Sequence, residues 1–174
     1  MSHGGADRLR ALIRDVDDFP SPGVGFKDIT PALADPAGLA DAVALLTEHC
    51  PPCDLVAGIE ARGFILAAPV AHHLEVGFVP IRKPGKLPWQ TVRRDYALEY
   101  GHDSLEIHED AVMAGQRVLI VDDVLATGGT AAAAAGLVEE LGGEVAGVSV
   151  LVELAFLDGR ARLVGHHVHS VLTY

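Results

Sequence analysis

Two cysteines, one tryptophan and three lysines are all that this chain of 174 residues holds of each. Two thiols make no disulfide framework, so the chain reads as one that folds on its own core in a reducing, cytoplasmic setting. No run reaches the ~18 consecutive apolar residues of a membrane-spanning helix. The opening MSHGGADRLR has no apolar stretch of the kind a secretory leader needs, and none is read there. Cations are few as well. Lys and Arg number 13 against 24 Asp and Glu, a net charge of −11. Such a surface repels a polyanion, which argues against nucleic acid or an anionic membrane as a partner.

Apolar residues make up 49% and charged residues 21%, the composition of an ordinary globular chain. The length suits a single domain, 1–174, whose core excludes roughly 70% of the unfolded chain's surface from water. Leu9, Leu12, Ile13 and Val16 recur at helical spacing and predict a helix over 6 to about 18. FPSPGVGFKDITP (19–31), with three prolines and two glycines, is expected to be irregular. Asp35-Pro36 opens a helix near 36–49. DLVAGIE (54–60), ARGFILAAPVAHHLE (61–75) and GFVPIR (77–82) then read as strand, helix and strand, a unit that implies a parallel sheet.

Residues 83–110 break the pattern. They are polar and read as a hairpin-like lid from about 83 to 107, turning at Gly101-His102-Asp103. The tail returns to alternation. It carries a strand at 116–123, a loop and helix at 127–143, a strand at 144–154, a short helix near 156–162 and a last strand at 166–174. The expected fold is α/β, a mainly parallel sheet flanked by helices, with a flexible lid.

The chemistry concentrates in VLIVDDVLATGGT (118–130). Apolar residues lead to Asp122 and Asp123 at the end of a strand, then Ala126, Thr127, Gly128, Gly129 and Thr130 lead into a helix. In an open α/β sheet, ligands bind at the carboxyl ends of the strands. The two glycines free backbone N–H groups to turn toward a ligand, the threonines add hydroxyls, and a helix N-terminus favours an anion. The loop is suited to a phosphate, and the acid pair to sugar hydroxyls or Mg²⁺. Adjacent aspartates are also found solvated, or in response-regulator pockets, but the Thr-Gly-Gly-Thr directly after them sets this string apart.

Glu60, Ala61 and Arg62 form a second strand-to-helix turn, a second place for an anion. Arg82, Lys83, Lys86, Arg93 and Arg94 put five of the thirteen cations into thirteen residues. Pro84-Gly85 shapes a loop around Lys83 and Lys86, whereas Arg93 and Arg94 read equally well as a solvated face. Phe26 is an aromatic in an irregular segment, a ligand platform or a core plug. Cys50-Pro51-Pro52-Cys53 closes a helix and precedes a strand, the reverse of a thioredoxin-like motif, and reads as a rigid stop with two ordinary thiols. His49, His72-His73 and His166, His167 and His169 complete no metal set.

The acid-pair string resembles the motif that binds phosphoribosyl diphosphate (PRPP) in type I phosphoribosyltransferases. FPSPGVGFKDITP, AGIEARGF (57–64), IRKPGKLP (81–88), YALEYG (96–101) and LVEL (151–154) are similar, in order and spacing, to segments of the adenine-specific branch of that family. The resemblance implies transfer of the phosphoribosyl group to adenine with Mg²⁺ bound mainly through PRPP, and a cytoplasmic homodimer. It implies that Ala126–Thr130 hold the 5′-phosphate, that Asp122 and Asp123 serve the ribose, and that Glu60, Ala61, Arg62, Arg82, Lys83, Lys86 and Tyr100 serve the diphosphate. Gly25, Phe26 and Lys27 would hold adenine, Phe26 by stacking and its neighbours through backbone groups. Glu99 would be the catalytic residue of the lid. Another purine base as acceptor, or a non-catalytic PRPP or purine sensor, fits the same fold. A sensor would want an added nucleic-acid module or a basic face, and this acidic chain offers neither.

Overall fold

A computed structural model describes residues 3–19, 21–98 and 101–174. In chain order the elements are α1 (His3–Leu12), β1 (Arg14–Val16), β2 (Phe26–Asp28), α2 (Thr30–Ala34), α3 (Pro36–Thr47), β3 (Leu55–Ile59), α4 (Arg62–His73), β4 (Gly77–Ile81), β5 (Thr91–Leu98), β6 (Gly101–His108), β7 (Arg117–Leu125), α5 (Gly129–Glu140), β8 (Glu144–Glu153) and β9 (Val168–Thr173). Five strands form one sheet in the order β4-β3-β7-β8-β9, every neighbouring pair parallel.

The sheet is covered on both sides, which is why its strands read as near-continuous apolar runs. Side chains alternate between two cores. Ala57, Ile59, Val118, Ile120, Val148 and Val150 pack with α5 and with Leu105 and Ile107 of β6. Val56, Leu119, Val121 and Leu151 pack with α1, α3 and α4 through Leu9, Leu46, Leu66 and Val70. The alanine run predicted as a packed helix face is one: Ala131, Ala133, Ala134 and Ala135 are all buried in α5. On the outer side of that helix a Cβ at Gly136 would lie 2.4 Å from the Arg94 guanidinium carbon. Arg94 also reaches Glu140 at 3.9 Å, and Arg93 pairs with Asp95 and Ser104. Both arginines therefore fasten the hairpin rather than extend the basic cluster.

Four expectations need correction. The first helix stops at Leu12, and residues 14–16 become β1. The segment 19–31 is not wholly irregular, because β2 pairs antiparallel with β1, Val16 opposite Phe26, and α2 begins at Thr30. Pro22 and Gly23 lie in the reversal between the two strands, where the Gly23 N–H donates to Asp18 Oδ1 at 2.7 Å. The hairpin is antiparallel as expected, but Leu98 pairs with Gly101 and Tyr96 with Asp103, so Gly101, His102 and Asp103 belong to β6 and not to a turn. The helix expected near 156–162 is two short 3₁₀ turns, Ala155–Leu157 and Gly159–Arg162.

Ile120 is fully buried on the central strand. Ile120→Val should cost about 0.5–1.5 kcal/mol and Ile120→Ala about 2–5 kcal/mol. Urea unfolding checks both; equal, small losses would mean the site collapses around the smaller residue.

Candidate functional site

The loops that follow β3, β4, β7 and β8 meet above the carboxyl edge of the sheet, where an open α/β fold places its ligands. Together with the β2 segment they enclose a cleft of about 820 Å³. Its lining brings together Gly25, Phe26 and Lys27, then Glu60, Ala61 and Arg62, then Lys83, then Asp122 and Asp123, and the whole of Ala126–Thr130. These come from four separate stretches of sequence. Arg82 and Lys86 are not among the lining residues. Glu99 and Tyr100 lie outside the described residues.

The loop after β7 is shaped by two glycine backbones. Gly128 precedes α5 with φ 79 and ψ −4, a left-handed conformation that glycine adopts without strain. A Cβ there would lie 2.2 Å from the Gly159 carbonyl oxygen, and one at Gly159 would lie 2.2 Å from that of Ala126. Gly159 is held in turn by its neighbour Arg160, whose guanidinium grips the buried Glu153 in a two-pronged pair, 2.7 Å at each oxygen, and donates to the Val168 carbonyl at 2.9 Å. The Arg160 hydrogen bonds hold the Glu153 carboxyl below its ordinary range, against the effect of burial. With glycine at the cap position, α5 has no side-chain cap. The N–H groups of its first turn are left to a ligand, the arrangement that binds anions.

Asp122 and Asp123 stand beside that turn. The Asp123 N–H donates to Asp122 Oδ1 at 2.9 Å. Burial, and next the charge of Asp123, push the Asp122 carboxyl well above the usual carboxylate range. Asp123 is itself buried, and Arg62 Nε lies 2.5 Å from its Oδ2 as an ion pair without hydrogen-bond alignment. The two turns must approach closely for this: a Cβ at Gly63 would lie 2.8 Å from Asp122 Oδ1. Arg62 also lies over the Phe26 ring, 5.0 Å from its centroid, and Phe19 packs edge-on to the same ring at 5.0 Å. Phe26 is thus a half-buried rim residue and no core plug. The ammonium of Lys27 is turned to Asp15 and to the Tyr174 ring at 3.8 Å, so it is the backbone of Lys27 that remains for the role expected of it.

Glu60 organises the loop after β4. Its carboxylate accepts Arg82 Nε at 3.1 Å, Arg82 Nη2 at 3.4 Å and the Lys83 N–H at 2.9 Å. Arg82 also donates to the Lys86 carbonyl at 3.0 Å. Both side chains are committed to shaping the loop that carries Lys83. Burial works against the Lys83 ammonium, but its hydrogen bond to Asp103, with help from Tyr96, raises its pKa above the ordinary value. Tyr96, a cleft residue the sequence did not single out, donates to Asp103 at 3.2 Å and accepts from Thr130 Oγ1 at 3.3 Å. Its position at the head of YALEYG was the only available signal. Leu154, Phe156 and Leu157 line the opposite wall, the first of them at the end of LVEL.

A divalent cation fits this donor set only in part. Asp122 and Asp123 offer hard oxygens, but among the described residues no group of three His, Cys, Asp or Glu side chains converges. A cation would need oxygens from a ligand to complete its shell.

A family model described as a phosphoribosyl transferase domain matches residues 51–166. The adenine phosphoribosyltransferase of Koribacter versatilis (strain Ellin345) is 54% identical over 170 residues, covering 97% of this chain and 93% of that protein. A crystal structure of the adenine phosphoribosyltransferase from Thermoanaerobacter pseudethanolicus superposes with a TM-score of 0.95 at 51% identity, covering 97% of this chain and 99% of that one. The Saccharomyces cerevisiae adenine phosphoribosyltransferase, complexed with adenine and an iminoaltritol bisphosphate, gives 0.92 at 37% identity, with coverage of 97% and 99%.

The Gly128–Gly159 contact can be measured. Gly128→Ala combines a left-handed φ with a backbone collision and should cost about 2–5 kcal/mol. Gly115→Ala has a similar φ of 78 with nothing within 4 Å and should cost only about 1–2 kcal/mol. Equal losses in denaturant unfolding would show that the close approach contributes nothing.

Proposed function

The chain belongs to the adenine phosphoribosyltransferase family, and on that premise we propose how its cleft moves the 5-phosphoribosyl group from PRPP to adenine, giving AMP and diphosphate in purine salvage. The observation that carries the reading is the convergence of an uncapped helix N-terminus, a buried acid pair and two cations with an aromatic rim in one cleft. The 5′-phosphate sits on the Ala126–Thr130 loop, where the N–H groups of the first turn of α5 have no side-chain cap. Asp122 and Asp123 take the ribose hydroxyls. The diphosphate lies between the Glu60-Ala61-Arg62 turn and Lys83, with Arg82 and Lys86 keeping the Lys83 loop in shape. Adenine lies on Phe26 and is read by backbone groups of Gly25 and Lys27.

Held at both ends, the sugar has little freedom except motion of its C1 atom from diphosphate toward the adenine N9, and such positioning removes much of the entropic barrier. The C1–oxygen bond breaks as positive charge grows on the ribosyl ring and negative charge on diphosphate. Arg62 and Lys83 stabilise the leaving group where its charge develops. Asp122 and Asp123 would stand beside a Mg²⁺ ion brought in with PRPP, and such an ion would add to the neutralisation of the leaving group. Glu99 is assigned the catalytic role, its carboxylate stabilising the ribosyl cation or taking the proton that adenine loses, and Tyr100 is assigned to the diphosphate. The protein acts in the cytoplasm as a homodimer, a state supported by exposed apolar side chains on α4 and β4, Ile65 and Phe78. A single monomeric boundary in sedimentation at micromolar concentration would remove the dimer from this reading.

Incubation with PRPP, Mg²⁺ and each purine base separately should give nucleotide from adenine alone. Glu99→Gln should lower kcat by roughly 10²–10⁴-fold while AMP affinity stays within about twofold. Phe26→Ala should weaken adenine binding by ~1–3 kcal/mol, the worth of an aromatic stacked on a base, and leave PRPP affinity unmoved. Full activity in Glu99→Gln, or unchanged adenine affinity in a folded Phe26→Ala, would overturn those two assignments.

A further inference from the structure

Tyr174 follows β9 and is not among the residues that line the cleft, yet it touches two segments that are. Its main chain completes the turn after β8. The Tyr174 N–H donates to the Glu153 carbonyl at 2.9 Å, and its main-chain oxygen accepts the Ala155 N–H at 3.0 Å. Ala155 opens the 3₁₀ turn that presents Phe156 and Leu157 to the cleft. Its ring meets β2 instead. The Lys27 ammonium lies 3.8 Å from the ring centroid, close enough for a cation–π attraction. Asp15, opposite Lys27 in the β1–β2 pairing, binds the same ammonium. The Lys27 side chain is only 19% exposed, low for a residue whose charged head ordinarily keeps to water. A side chain pinned in this way fixes the rotation of the strand about its own axis. The directions of the Lys27 N–H and C=O groups are fixed with it.

We propose that Tyr174 is a positioning residue for the purine base, a strut that holds the β2 backbone at a set distance from the Ala155–Leu157 turn. This rests on the reading of Gly25, Phe26 and Lys27 as the adenine wall. Tyr174 never touches the base. It grips one segment through its main chain and the other through its ring, so the two keep one separation, that of a flat bicyclic ring between them. Without the ring contact β2 is free to rotate, and restoring its orientation is charged to base binding. That cost cannot exceed what the contact itself is worth, which bounds the effect. PRPP, held by Ala126–Thr130, Arg62 and Lys83, does not depend on the Lys27 backbone.

The test is steady-state kinetics of the full-length protein with Mg²⁺, adenine and PRPP varied separately, and circular dichroism to confirm folding. Tyr174→Leu keeps the main-chain bonds and the apolar bulk but removes the ring face. It should raise the KM for adenine roughly three- to tenfold, the factor a partly exposed cation–π contact is worth. Its kcat and its KM for PRPP should stay within about twofold of wild type. Tyr174→Phe, which keeps the ring face, should match wild type. Lys27→Met keeps the stem and removes the charge; it should raise the adenine KM as Tyr174→Leu does, and the double variant no further, because both remove one contact. An unchanged adenine KM in a folded Tyr174→Leu, an equal rise for both substrates, or additive losses in the double variant would overturn the strut. A wild type that accepts a different purine, with these variants raising the KM for that base, would overturn adenine as the substrate and uphold the strut.

Discussion

Two glycines some thirty positions apart in sequence touch backbone to backbone, and the loop after β7 exists in its shape because they do. Gly128 has no room for a Cβ beside the Gly159 carbonyl, and Gly159 has none beside that of Ala126. The contact presses the loop after β7 onto the turns after β8, which are themselves riveted by Arg160 to the buried Glu153. That stack orients the first turn of α5. Removing the side chain at the cap position leaves the helix N-terminus open to solvent and to a ligand in the same stroke.

A second constraint is electrostatic. The chain carries a net charge of −11 and handles a polyanionic substrate, so its cleft cations must be arranged with care. Arg62, Arg82 and Lys83 each have a carboxylate partner: Asp123, Glu60 and Asp103. The pairs hold long, flexible side chains in place before any ligand arrives, which lowers the entropy lost on binding. They divide into two kinds. Arg82 is turned inward to serve the loop, whereas Arg62 and Lys83 remain on the cleft wall, where a phosphate oxygen can compete for their N–H groups.

The central sheet was legible because its strands are apolar runs closed by Gly, Pro or acidic residues, and the cleft because its loops follow those strands directly. The short β1–β2 ribbon was not, since three residues carry no period and Val16 meets Phe26 only after a proline-rich reversal. The hairpin's register was misjudged for a related reason. Gly101-His102-Asp103 has the composition of a turn, yet pairing is set from the other end, where Thr91 meets His108, and runs outward past those residues. Tyr96 became visible only with that register, which carries its hydroxyl to Asp103 and Thr130. Contacts such as Gly128 with Gly159 leave no trace in a local pattern at all.

At the root of the hairpin, Arg82 pairs with Glu106 in a single antiparallel bridge, with hydrogen bonds of 2.8 and 2.7 Å, while Glu60 clamps the Arg82 side chain. Glu106 also faces Arg93, and from that register the remaining residues of β5, Arg93 to Leu98, extend ~20 Å at ~3.3 Å per residue. Glu99 follows directly on the last of them in the chain. Over such an arm a swing of ~10° at the root displaces the far end by ~3–4 Å, as much as the whole reach of a hydrogen bond. The Glu60–Arg82 clamp therefore works as a bearing: its stiffness sets the angular tolerance within which the far end of the arm can be aimed.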